Sequence, residues 1–139
     1  MNLVWPMLAQ VILVLGVGLA LGWSRYDAAR RRKVSLRDIA LDDRAWPENV
    51  RKLGNNFRNQ FETPVLFFVL SGLAIYLNQD HLGMAVAAWG FVASRVAHTA
   101  EHVGRNNLLR RFQLFILGMV FLIAMLVMIL AGLISAAAP

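Results

Sequence analysis

Two short groups of ionisable and amide side chains stand out in a chain that is otherwise strongly apolar. The first group places amides, a guanidinium and a carboxylate close together: Asn55, Asn56, Arg58, Asn59, Gln60 and Glu62. The second group combines a guanidinium, two imidazoles and a carboxylate: Arg95, His98, Glu101 and His102. If the first group is helical, the i, i+4 and i+7 spacing puts Asn55, Asn59 and Glu62 on one helix face. The guanidinium and the two imidazoles of the second group share a face in the same way.

These side-chain types suit a small zwitterionic ligand that carries carboxylates. Arginine can bind a carboxylate with two parallel hydrogen bonds, while Glu62 can hold an ammonium group and Asn59 can bind amides. An arginine can also lower the pKa of a ligand thiol, because a nearby opposite charge favours the ionised form. The chain contains no cysteine, so thiol chemistry would depend on a thiol from the ligand. Alternatively, Arg58 and Glu62 form only an ion pair, either within the helix or between helices.

The stretch from His98 to His102 has a competing interpretation as a metal site. It matches the H-x-x-E-H pattern of inverted zinc peptidases, in which two histidines bind the metal and Glu101 would be the general base. A third protein ligand is required, and Glu62 is the nearest carboxylate candidate. Because a five-residue pattern arises easily by chance, we predict no metal site.

The composition indicates a single membrane domain over residues 1–139. Hydrophobic residues make up 58% of the chain and the mean hydropathy is +0.55, whereas soluble domains contain roughly 45–50% apolar residues. The net charge is +6, yet all 14 lysines and arginines lie within residues 25–58 and 95–111. Basic residues confined to the connections between apolar segments are a sign of membrane topology. No basic surface with interleaved aromatic residues indicates nucleic-acid binding.

Four apolar segments are long enough to cross a bilayer, which takes about 20 helical residues. They cover residues 3–23, 56–77, 82–103 and 112–137. Pro64, inside the second segment, predicts a kink or a delayed start of that helix. The connections 24–55 and 104–111 are basic, so the positive-inside rule places both in the cytoplasm and both termini outside. The predicted fold class is therefore an all-α integral membrane four-helix bundle.

The motif R-N-x-x-E at 58–62, the R-x-x-H pattern at 95–98 and the basic pair at 110–111 resemble the signature of a known family. This is the family of membrane-associated proteins in eicosanoid and glutathione metabolism (MAPEG). Chain length and four predicted spans agree with it over essentially the whole chain. The resemblance implies a homotrimer that binds glutathione at each subunit interface, near the cytoplasmic face.

The resemblance also implies a role for individual residues. It implies that six of them bind glutathione: Arg58, Asn59, Glu62, Arg95, His98 and His102. Arg111 would stabilise the glutathione thiolate, with Arg110 as the alternative. An arginine near the end of the first span contributes in the family, and Arg25 and Arg30 are both candidates. His102 stands where eicosanoid-synthesising members carry a tyrosine.

The function that these features imply is a glutathione-dependent membrane transferase or peroxidase. Its hydrophobic second substrate, an electrophile or a lipid hydroperoxide, would arrive from the bilayer. The alternative is a non-enzymatic membrane subunit or lipid-binding module that retains the family fold. The predicted location is a bacterial inner membrane.

Overall fold

A computed structural model describes residues 3–40 and 42–137, and every regular element within them is helical. The helices are, in chain order, α1 (Val4–Arg30), α2 (Leu36–Ile39), a 3-10 helix (Asp43–Ala45), α3 (Glu48–Asn59), α4 (Thr63–Tyr76), α5 (Leu82–Val103) and α6 (Leu108–Ala137). Among them, α1 and α6 are long and apolar enough to cross a membrane. The all-α prediction is confirmed. The predicted domain over 1–139 includes residues 1, 2, 41, 138 and 139, which lie outside the described residues.

The connection predicted over residues 24–55 is largely helical, which differs from the expected irregular loop. Helix α1 continues two turns past the apolar segment, and α3 begins directly after Pro47. Leu21 and Ala28 of α1 are buried in a small apolar cluster with Val50 of α3. Because these two α1 residues are seven positions apart, the buried face of the membrane helix continues into its polar end. This packing keeps the polar part of α1 helical.

The second predicted span is interrupted, as Pro64 predicted. Helix α3 ends at Asn59 and α4 begins at Thr63, with Pro64 in its first turn. Proline is tolerated there because the first helical N–H groups have no partner within the helix. Glu62, at φ −97° and ψ −98°, is not helical. The prediction that Asn55, Asn59 and Glu62 share one helix face is therefore wrong.

The longer helices pack side by side. Helix α5 packs along α6, α4 contacts both of them, and α1 contacts α3, α4 and α5. Phe67 of α4 and Phe91 of α5 stack at the centre of the apolar core, with ring centroids 4.7 Å apart. Small residues such as Ala85, Ala87 and Ala88 are buried on α5, which allows neighbouring helices to approach closely.

The outer faces of α1 and α6 expose many large apolar side chains. Ile12 and Leu19 on α1 are 69% and 76% exposed, and Ile134 on α6 is 72% exposed. Exposed apolar surface on this scale marks contact with lipid or with another subunit. The chain is a membrane protein on this evidence and on the length of the two helices.

Candidate functional site

The buried polar centre of the fold lies on the last three turns of α5. Arg95, His98 and His102 are 2%, 4% and 1% exposed, and they occupy the helix face that the sequence predicted. The two imidazole rings lie 5.8 Å apart between centroids. Arg95 Nη2 donates a hydrogen bond of 3.1 Å to the backbone oxygen of Asn59. The structure therefore brings together four of the predicted site residues.

Several nitrogens in this centre have no hydrogen-bond partner among the described residues. They are Arg95 Nε, His98 Nδ1, His102 Nδ1, His102 Nε2 and Arg111 Nε. Buried polar atoms in proteins are nearly always hydrogen-bonded to protein or to water. A concentration of five such nitrogens indicates a place that receives polar atoms from water or from a ligand. We call these four residues, Arg95, His98, His102 and Arg111, the buried cationic cluster.

The two arginines at the start of α6 differ in what they contact. Arg111 Nη1 donates a 2.8 Å hydrogen bond to Asn106 Oδ1, and its charge acts on both imidazoles of α5. Arg110 is exposed and lies 3.9 Å from Glu101 Oε2. Its backbone N–H donates to Asn107 Oδ1, which caps the helix. Of the predicted catalytic pair, only Arg111 faces the buried cationic cluster.

Glu101, the general base in the metal-site interpretation, has its carboxylate hydrogen-bonded at the turn between α5 and α6. Its Oε1 atom accepts a hydrogen bond of 3.1 Å from the backbone N–H of Asn107, at the turn between α5 and α6. Residues 3–40 and 42–137 contain no group of three or more His, Cys, Asp or Glu side chains placed to hold a metal ion.

A buried amide network beside the cluster was missed by the sequence reasoning. Gln10 Nε2 donates to Gln60 Oε1 at 3.1 Å, and Gln60 Nε2 donates to Thr99 Oγ1 at 3.0 Å and to Asn56 Oδ1 at 3.3 Å. The network joins α1, α3 and α5 at the break between α3 and α4. It fixes the end of α3 against α5, next to the hydrogen bond that Asn59 accepts. The sequence feature that could have indicated this network is Gln10, the one polar side chain in the first apolar segment.

Arg58 points away from the buried cationic cluster. Successive residues of an α-helix are about 100° apart, so Arg58 lies across α3 from Asn56, which faces α5. Its Nη1 atom lies 3.5 Å from Asp43 Oδ2, and its Nη2 atom donates to Asn55 Oδ1. Arg58 is thus not paired with Glu62 in this structure. The sequence predicted that all these residues line one pocket. Within one protomer, the structure places them in two separate groups.

The second group forms a cleft of about 210 Å³ between the end of α1, the 3-10 helix and α3. We call it the arginine cleft, and its polar and aromatic lining includes Arg25, Asp43, Arg44, Trp46, Arg51 and Arg58. Of the two candidates near the end of α1, Arg25 lies in this cleft with Arg58. Arg30 is exposed at the last position of α1 and does not line it.

A sequence model of the MAPEG family matches residues 3–131. The chain belongs to the MAPEG family. The match runs from the first turn of α1 through most of α6, so it includes the amide network, the buried cationic cluster and the arginine cleft. A comparison with curated proteins finds no match.

In this MAPEG protein the motif R-N-x-x-E straddles the end of α3. Arg58 faces the arginine cleft, while Asn59 uses its backbone oxygen to hold Arg95. Glu62 is exposed at the interruption before α4, and its charge acts on Arg95. The motif therefore places a carboxylate beside the rim of the buried cationic cluster, where an ammonium group of a ligand could contact it.

Proposed function

We propose that this MAPEG protein is a glutathione-dependent membrane transferase or peroxidase. The observation that supports this most is the set of unpartnered nitrogens in the buried cationic cluster. Glutathione carries two carboxylates, two amides, an ammonium group and a thiol, so it offers acceptors for the N–H groups of the arginines and imidazoles and donors for the imidazole nitrogens that carry no proton. Membership of the MAPEG family favours glutathione over other small zwitterions.

We assign the contacts by the chemistry of each side chain. Arg95 and Arg58 bind the carboxylates, because a guanidinium can give each of them two parallel hydrogen bonds. Glu62 holds the ammonium group, and Asn59 binds an amide. His98 and His102 complete the lining of the site. Because Arg58 faces away from the buried cationic cluster of its own protomer, Arg58 and Arg25 of one protomer serve the cluster of a neighbour, in a homotrimer.

Arg111 is the residue that we assign to the thiolate. Lowering the pKa of a thiol from about 8.5 to about 7 takes about 2 kcal/mol, at 1.36 kcal/mol per unit. A guanidinium in a water-poor site can supply a stabilisation of this size. The thiolate then attacks an electrophilic carbon, forming a C–S bond as the leaving group departs. With a lipid hydroperoxide it attacks the terminal oxygen and releases the lipid alcohol, and a second glutathione reduces the resulting sulfenic acid to disulfide and water.

The hydrophobic substrate would reach the site from the bilayer. We propose four spans, with α3 and α4 together forming the second, because the 14 residues of α4 cover only about 21 Å of a hydrocarbon core of about 30 Å. The amide network would then lie at a helix interruption inside the membrane, where its side chains hydrogen-bond to one another in a setting without water. The basic end of the bundle faces the cytoplasm of a bacterial inner membrane, and both termini face outward.

Thermal unfolding of the detergent-purified protein with and without glutathione tests this function. A ligand at a hundredfold excess over its dissociation constant stabilises the folded state by about 2.7 kcal/mol, so we expect a clear rise in melting temperature. Arg95→Gln should abolish the rise, whereas the control Arg105→Gln, an exposed arginine in the α5–α6 turn, should keep it. No rise at saturating glutathione would contradict the proposal and favour a non-enzymatic subunit.

A further inference from the structure

The arginine cleft has more positive charge than its one carboxylate can balance. Four guanidinium groups line it, those of Arg25, Arg44, Arg51 and Arg58, with Asp43 as the only acidic residue. Asp43 is shared between Arg25 at 3.7 Å and Arg58 at 3.5 Å, and both distances are long for an ion pair. The cleft therefore has a formal charge of about +3.

Two of the four guanidinium groups are free to bind an anion. Among the described residues, the side chains of Arg44 and Arg51 make no hydrogen bond and no salt bridge. The nearest carboxylate on α3, Glu48, is already paired with Lys52 at 2.8 Å. Holding several arginines around one small cleft is unfavourable without a counter-charge, since like charges repel at short range.

Arg25 is held in place at the inner wall of the cleft. Its guanidinium carbon lies 5.3 Å from the ring centroid of Trp46, a cation–π geometry. Its Nε atom is buried and has no partner within residues 3–40 and 42–137. The group is thus fixed by stacking and keeps hydrogen-bonding capacity for another molecule. The planar fork of arginine matches the oxygens of a phosphate group.

The position of the arginine cleft relative to the membrane surface indicates which anions it would meet. Arg25 follows the first apolar segment directly, and exposed Trp23 and Tyr26 flank it with ring centroids 5.9 Å apart. Exposed tryptophan and tyrosine at the end of a membrane helix mark the level of the lipid head groups. At that level, on the side predicted to be cytoplasmic, phosphate groups of anionic lipids are the most abundant anions.

We propose that the arginine cleft is a binding site for a phosphate group, with Arg44 and Arg51 as its outer ligands and Arg25 as its inner one. An anionic lipid head group and free inorganic phosphate share this chemistry. Its outer ligands, Arg44 and Arg51, take no part in the glutathione contacts proposed above, whereas Arg25 would serve both ligands. An occupied site would reduce the positive charge of the cleft and hold the 3-10 helix against the ends of α1 and α3.

Native mass spectrometry of the detergent-purified full chain tests the proposal, with phosphatidylglycerol as the probe and phosphatidylcholine as the zwitterionic control. Arg44→Gln with Arg51→Gln should weaken phosphatidylglycerol binding about 30-fold, since each arginine near a membrane surface contributes roughly fivefold. The matched control is Arg32→Gln with Arg37→Gln, which removes the same charge from exposed positions outside the cleft. This control should bind the lipid as the natural chain does.

A parallel arm separates the two sources of phosphate. If millimolar inorganic phosphate raises the melting temperature of the natural chain but not of the Arg44/Arg51 variant, and no lipid is retained, the ligand is free phosphate. If phosphatidylglycerol is retained in an Arg44- and Arg51-dependent way, the ligand is a lipid. Equal loss in both double variants, or loss in neither, would overturn the proposal. Without added ligand, the Arg44/Arg51 variant should unfold at or above the temperature of the natural chain, because it loses repulsion between guanidinium groups, and the control variant should unfold at the same temperature as the natural chain.

Discussion

Gln10 and Gln60 are 50 residues apart in sequence, yet their fully buried side chains form a 3.1 Å hydrogen bond in the middle of the bundle. Gln60 lies at the interruption between α3 and α4, and it also donates to Thr99 of α5. One side chain thus connects α1, the break between α3 and α4, and α5, which bears most of the buried cationic cluster. The position of Asn59, which holds Arg95, depends on this connection.

The first prediction concerns that network. Gln60→Ala removes its three hydrogen bonds, and hydrogen bonds between membrane helices contribute about 0.6 kcal/mol each on average. We therefore expect a loss of about 2 kcal/mol in the free energy of unfolding, measured by denaturant titration in detergent micelles. The control Gln113→Ala, at an exposed position of α6, should change stability by less than about 0.5 kcal/mol. Equal stability of the two variants would mean that the network does not hold the bundle.

The second prediction tests the close packing of α5 on α6. A Cβ atom added at Gly90 would overlap the ring of Phe121, whereas one added at Gly72 meets nothing within 4 Å. Alanine favours a helix over glycine by about 1 kcal/mol, so Gly72→Ala should raise the melting temperature. Gly90→Ala should lower it, because overpacking costs about 1–3 kcal/mol and exceeds that gain. A rise in both variants would show that α5 and α6 are packed more loosely than the structure indicates.

Much of the fold could be predicted from composition and spacing. The bounds of α5 agree with those of the predicted third span. The reason is that its connection to α4 is short and contains residues that favour the end of one helix and the start of the next. Asn78 adopts a positive φ of 54°, which asparagine tolerates better than most residues. His81 accepts a hydrogen bond from the backbone N–H of Met84 and so caps the helix. The late start of α4, at Thr63, followed from Pro64 in the same local way.

The placement of Arg58 and of the polar helices could not be predicted in this way. Helix α3 is polar overall, and its buried face is narrow, with Val50, Leu53 and Phe57 spaced three and four residues apart. That pattern was present in the sequence but was outweighed by the charged residues around it. The side of α3 on which Arg58 lies depends on which face packs against α5, and this is set by the buried amides. Tertiary contacts, rather than local propensity, therefore decided where the predicted site residues point.

The third prediction uses the unpartnered nitrogens of His102. If they serve a ligand, His102→Phe should change the stability of the unliganded protein by less than about 1 kcal/mol, because the imidazole loses at most a weak contact with the backbone of Lys52. Glutathione should then bind roughly 5- to 10-fold more weakly, the value of about one hydrogen bond. His102→Tyr restores a donor at this position and should recover most of the affinity. The measurement is isothermal titration calorimetry of each variant in the same detergent. A strongly destabilised His102→Phe protein with unchanged affinity would assign His102 to structure alone.

The fourth prediction distinguishes the two arginines at the start of α6. Arg111 faces the buried imidazoles and Arg110 faces Glu101, so only Arg111 can stabilise a thiolate in the cluster. Arg111→Ala should lower kcat for conjugation of glutathione to a chlorodinitrobenzene by about 10²–10³, the usual effect of removing one preorganised charge-stabilising group. Binding of glutathione should change much less, because its carboxylates are proposed to contact Arg95 and Arg58 instead.

Arg110→Ala is the matched control for the same measurement, since it removes an equal charge one residue away and breaks only a long, exposed ion pair. Its kcat should stay within about twofold of the natural chain. The thiolate can also be followed directly by its ultraviolet absorbance, which should rise on mixing glutathione with the natural chain and with Arg110→Ala, but not with Arg111→Ala. If Arg110→Ala loses turnover and Arg111→Ala keeps it, the α5–α6 turn must present the other arginine to the ligand, and the roles of the pair are reversed.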